Sequence, residues 1–108
     1  MVKRVLLVIG LYVISMTVLA AAKDMTWDGW ISEDHCGAKG ANAAHLDCAK
    51  KCIEGGAKPV LVTDKDKKIV PIENPDTVMD HVSHHVQLTG TMDNNGAIHV
   101  TKVTMLSQ

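Results

Sequence analysis

Val86-Gln87-Leu88-Thr89-Gly90-Thr91-Met92-Asp93-Asn94-Asn95-Gly96-Ala97-Ile98-His99-Val100-Thr101 is the stretch that decides the fold. Val86, Leu88, Gly90 and Met92 alternate with polar residues, and Ile98 and Val100 alternate with Ala97, His99 and Thr101. A period of two is the mark of a half-buried strand, so the stretch predicts a β-hairpin. Its two apolar sets share a face if Asp93 stands opposite Ala97, which leaves Asn94-Asn95-Gly96 as the loop and gives Gly96 the left-handed position of a bulged turn. Beyond Thr101 the apolar phase slips, because Lys102 is polar while Val103 and Met105 are not. One extra residue near 101–102 restores it, and such a bulge bends a strand as a closing barrel requires.

Outward from the hairpin, Met25 to Ser32 reads as a first strand, with Trp27 and Trp30 on opposite faces. A loop follows from Glu33 to Ala41. Asn42 offers a cap for a helix over Ala43–Glu54, and Gly55 supplies its stop. On that helix His45, Cys48 and Cys52 form one stripe along the edge of an apolar face made by Leu46, Ala49 and Ile53. Val60 to Thr63 and Lys68 to Ile72 read as two further strands around a polar turn. Pro71 places the second of these at a sheet edge. Asn74-Pro75 opens a short helix whose apolar face is Val78, Met79 and Val82. The sum is mainly β with one or two helices: a five-stranded OB-like barrel with a Cys-bearing helix inserted after the first strand.

The chain also resembles a family of small exported bacterial proteins that carry an uncharacterised OB-fold-like domain. The resemblance rests on Gly29-Trp30-Ile31-Ser32 leading into Cys36-Gly37, and on Cys48-Ala49-Lys50-Lys51-Cys52 followed by Gly55-Gly56-Ala57-Lys58. The Val86-Gln87-Leu88-Thr89-Gly90-Thr91 strand with its Ile98-His99-Val100 return also matches. It spans nearly all of residues 27–106, implies an OB-like fold and export, and carries over no catalytic residue.

The N-terminus supports export independently. Lys3 and Arg4 form a short positive region, Val5 to Ala20 is uncharged and apolar, and Ala20-Ala21-Ala22 fits a small-residue cleavage site. Residues 1–22 are therefore expected to be a signal peptide, with a single domain at 23–108 in the periplasm or outside the cell. No cysteine follows the cleavage site, so no lipid or membrane anchor is expected after cleavage. Of 11 basic and 12 acidic side chains, cleavage removes Lys3 and Arg4, leaving nine basic against twelve. That balance excludes a dedicated nucleic-acid binder, which needs a basic surface to displace counterions. Phe is absent from the chain, so the core must be aliphatic.

Export changes how Cys36, Cys48 and Cys52 are read, because a domain this small gains from a covalent or metal staple. One reading is a soft-metal site for zinc or copper, built from the three cysteines with His45 or His35. The other is a disulfide from Cys36 to Cys48 or Cys52, closing a loop of about 12 to 16 residues for roughly 3 kcal/mol. A thiol–disulfide redox role suits the spacing poorly, since efficient motifs put the attacking cysteine at a helix N-terminus. His81, His84, His85 and His99 form a second candidate metal patch, although the hairpin register sets His85 and His99 too far apart to share an ion. Glu33 and Asp34 read as solvated loop acids. No hydrolase motif or phosphate-cradling loop is present. The expected function is a non-enzymatic binding or accessory module, with a protein or small ligand as partner.

Overall fold

The computed structural model describes residues 24–108, so the expected export segment lies outside the described residues. Five strands form one antiparallel sheet: β1 (Met25–Glu33), β2 (Pro59–Thr63), β3 (Ile69–Pro71), β4 (His85–Met92) and β5 (Ile98–Met105). Their order is β3-β2-β1-β4-β5. Central β1 serves two partners, pairing from Met25 to Trp30 with β4 and from Gly29 to Glu33 with β2.

The β4–β5 hairpin follows the register its alternation predicts. Thr91 faces His99, Met92 faces Ile98, and Gly96 has φ +80°. Pairing then steps from Gly90↔Val100 to Thr89↔Lys102, leaving Thr101 as the extra residue. Val100 and Val103 can both face the core because of that step.

The expected mainly β architecture, five strands with a helix after the first, is present, and its sheet is not closed by a continuous ladder. Its two ends meet through a single parallel bridge between Ile72 and Ile98. Glu73 N–H donates to the Ile98 carbonyl at 2.8 Å. Beside it, the Asn74 side-chain amide donates to the Val100 carbonyl and accepts from the Val100 N–H, each at 2.8 Å. β3 is too short, and Pro71 too poor a donor, to carry a full ladder there. One asparagine side chain takes the place of the missing strand.

The core is aliphatic, as the composition requires. Ile31, Leu61, Val70, Ile72, Val86, Leu88, Ile98 and Val100 come from the sheet and its ends. Ala49 closes it from the helix, and Val78 and Val82 close it from the segment before β4. Trp27 packs against its margin, while Trp30 on the opposite face stacks on His85.

The helix is shorter than expected. Ala43–His45 is a 3-10 turn, and α1 runs over Leu46–Glu54. Asn42 does not cap it, because its side-chain amide instead donates to the Lys39 carbonyl at 3.1 Å. The stop also lies one residue later than Gly55. Gly56 takes the left-handed conformation with φ +104°, its N–H bonding the Ile53 carbonyl while Ala57 N–H bonds the Cys52 carbonyl. That pair is a Schellman closure, and it fixes the turn of α1 that carries Cys52. The short helix expected at Pro75 resolves into two 3-10 turns, Pro75–Thr77 and Met79–His81. Val78 and Val82 are buried as expected, but Met79 is exposed.

Candidate metal centre

The site forms where the end of β1 meets α1. Along β1 the odd-numbered residues face inward, so Glu33 continues the series of Trp27, Gly29 and Ile31. Its side chain has no exposed surface, which corrects its reading as a solvated loop acid. Pairing with Pro59 keeps it in the strand, and α1 covers that end of the sheet. Asp34, by contrast, is exposed and accepts a hydrogen bond from Lys58 N–H at 3.1 Å.

A buried carboxylate must be satisfied, and Glu33 is. Oε2 accepts the His35 N–H at 2.7 Å and the Cys36 N–H at 3.0 Å. Oε1 lies 3.2 Å from Nε2 of His45. Burial pushes the carboxyl up, but hydrogen bonds from the Cys36 thiol, the His45 ring and the two backbone N–H groups outweigh it and hold it below the usual 4.5. Glu33 therefore bends the chain after β1 around an anion and fixes where Cys36 points.

Cys36 turns back toward the helix. It precedes the 3-10 turn Gly37–Gly40, whose first carbonyl accepts the buried Ser32 hydroxyl at 2.8 Å. On α1, Cys48 and Cys52 are one turn apart and share a face. The sulfur atoms of Cys36, Cys48 and Cys52 all lie within 4.8 Å of one another, and all three cysteines are free. A second group joins at Cys36, where its sulfur, a Glu33 carboxylate oxygen and a His45 ring nitrogen also lie within 4.8 Å of one another. Cys36 is thus the shared corner of a thiol triangle and a Glu–His pair.

The electrostatics keep the thiols of Cys36 and Cys52 protonated. The hydrogen bond to Glu33 chiefly, with burial and nearby negative charge, pushes Cys36 up to about 12. Burial first, then the charge of Glu33, raises Cys52. Such thiols are poor nucleophiles at neutral pH, because the thiolate is the reactive form. A bound cation reverses the balance, since a metal-coordinated thiol gives up its proton and the charge of Glu33 then becomes favourable.

The expected ligand set is thus partly assembled. The three cysteines converge. His45 is present but belongs with Glu33 and Cys36 rather than on a common stripe with Cys48 and Cys52. The side chain of His35 falls outside both groups: the residue is exposed, and it lines a cavity of about 510 Å³ with Asp34, Cys52, Gly55 and Ala57. Cys48 stands third in α1, nearer the N-terminus than a twelve-residue helix would place it. Glu33 is the residue sequence reasoning missed. Its parity with Ile31 was the available signal, had β1 been carried one residue further.

The remaining histidines do not form one ligand set. His81 and His84 contact edge to face with ring centroids 5.8 Å apart. His85 binds Asp64 at 2.6 Å, and His99, near the hairpin turn, binds Glu73 at 2.6 Å. Among the described residues, no helix is long and apolar enough to cross a membrane. No family model, curated protein or solved structure matches the chain.

Proposed function

We propose that the chain is a small exported binding module that holds one soft transition-metal ion, zinc(II) or copper(I), on the thiolates of Cys36, Cys48 and Cys52. The observation that carries this reading is the convergence of three sulfur atoms from two separate elements within 4.8 Å. Thiolate-rich sets select these ions, and a tetrahedral site built on three cysteines needs one further ligand. His45 or Glu33, both beside Cys36, stands closest to that role. Glu33 also supplies the anionic outer partner that orients a metal ligand. The exposed Cys48 gives an incoming ion, or a partner protein delivering it, access to the sulfurs.

The test is metal titration of the reduced chain without oxygen, with a thiol count on the same sample. The reading expects one equivalent of zinc or copper, sulfur-to-metal charge transfer with cobalt(II) in its place, and loss of that band in Cys36→Ser and Cys52→Ser. A chain that binds no metal and isolates with one thiol and a bridge from Cys36 to Cys48 or Cys52 would instead be a stapled structural or interaction domain. A dithiol that exchanges reversibly with glutathione would make it a redox protein.

A further inference from the structure

His85 sits at the start of β4, on the face opposite the core, and both of its ring nitrogens face oxygen. Nδ1 is 2.7 Å from the backbone carbonyl of Ser107, and Nε2 is 2.6 Å from Oδ2 of Asp64. A backbone carbonyl and a carboxylate can only accept. A neutral imidazole has one N–H, so this arrangement is satisfied only by the doubly protonated ring. The ring also stacks on Trp30, with centroids 5.0 Å apart and planes 17° from parallel, which favours a cation over the indole face.

The same residue holds the segment after β5. Its N–H donates to Oε1 of Gln108 at 2.8 Å. Its carbonyl accepts from Nε2 of Gln108 at 2.9 Å and from Leu106 N–H at 3.0 Å. His85 is therefore the joint between three parts of the molecule: the turn after β2, the Trp30 face of β1, and the segment after β5. The charged groups around it are Asp64 from that turn and Asp28 from β1, whose carboxylate accepts from Gln87 at 2.9 Å.

We propose that His85 is a proton-operated clasp: while protonated its ring ties Ser107 to Asp64 and so fixes residues 106–108 across the outer face of the sheet. Loss of the proton gives up one of those ties and loosens the segment, which the backbone of His85 still contacts through Leu106 and Gln108. A neutral ring must leave either Ser107 or Asp64 facing a bare nitrogen, and the carbonyl-to-lone-pair contact is repulsive. The hydrogen bond to Asp64, and after it the Ser107 carbonyl, raises the affinity of His85 for its proton against the opposing effect of burial. The sign follows. A histidine raised on folding contributes fully below its ordinary value of about 6.5 and loses that contribution as pH rises through the raised value. The clasp is closed in acid and through the ordinary histidine range, and opens above it. This inference is independent of the metal centre.

The experiment follows the ring ¹⁵N resonances of His85 in the purified chain across pH. On the same samples it follows hydrogen exchange at the Leu106 amide, corrected for the intrinsic pH dependence of exchange. The clasp requires His85 to titrate above free histidine and Leu106 protection to fall with the same midpoint. Asp64→Asn should move both midpoints to lower pH, and His85→Gln should leave Leu106 protection independent of pH in that range. If His85→Gln does not fold, the matched midpoints and their joint shift in Asp64→Asn decide the question. A His85 that titrates as free histidine, or Leu106 protection that ignores the titration, overturns it.

Discussion

Nε2 of His45 stands 3.2 Å from Oε1 of Glu33, a carboxylate with no exposed surface at the inner end of β1. The contact ties the turn before α1 to the last residue of the strand. It therefore sets the distance from Cys36, just past the bend that Glu33 makes with the His35 N–H, to the helical cysteines.

Glu33→Gln keeps the shape and removes the charge. Metal affinity should fall by about 10–100-fold, the range for loss of an outer carboxylate partner. Competition with a chromophoric chelator measures it. Unchanged affinity would show that Glu33 takes no part in holding the thiolates.

The same residue gives the protein an acid limb. Its carboxyl is held below its ordinary value, so the stabilisation it supplies is present above about 4.5 and is lost as pH falls through the lower folded value. The melting temperature of the wild type should drop over that window, and Glu33→Gln should drop less. Parallel curves for the two proteins would assign the acid limb to other groups.

Gly40 lies against the His45 ring, so a Cβ there would come within 2.7 Å of Cδ2 and would also meet the Ser32 hydroxyl. Gly40→Ala should cost about 1–3 kcal/mol by overpacking and push His45 from Glu33. Denaturant melts give the first quantity, and the His45 ring resonances report the second.

Asn74 spans the gap between the two sheet ends with two hydrogen bonds to Val100. Asn74→Ala leaves the Val100 N–H and carbonyl without these partners, for roughly 1–3 kcal/mol for each group left unsatisfied. Faster exchange at the Val100 amide, with the Thr91–His99 pairing intact, is the expected signature.

The thiols should react in a fixed order. Cys48 is exposed, while Cys36 is half-buried and pushed up to about 12 by Glu33. Under limiting maleimide at neutral pH, mass spectrometry of peptides should find Cys48 labelled first and Cys36 last. Glu33→Gln should speed Cys36 selectively.

The local signals in the chain carry the hairpin. Its loop, the left-handed Gly96 and the extra residue at Thr101 all follow from the alternation of Val86–Met105, because a period of two admits only one register with a buried face. The placement of Cys48 and Cys52 on one side of a helix follows from their spacing in the same way. Two helix ends did not follow, since Asn42 and Gly55 satisfy local rules that a neighbouring arrangement meets better: Lys39 competes for the Asn42 amide, and Gly56 takes the left-handed turn.

Sequence alone determined the aliphatic core, the order of strands and helix along the chain, and the shared helix face of Cys48 and Cys52. Periodicity and turn chemistry act over a few residues, and these properties depend on nothing more. Only the tertiary structure decided that Glu33 is buried, that Cys36 is its hydrogen-bond donor and converges with the helical cysteines, that His35 falls outside both ligand groups, and that Asn74 bridges an open sheet. Each of those depends on which distant element covers the end of a strand, and that is settled by packing between segments far apart in the chain.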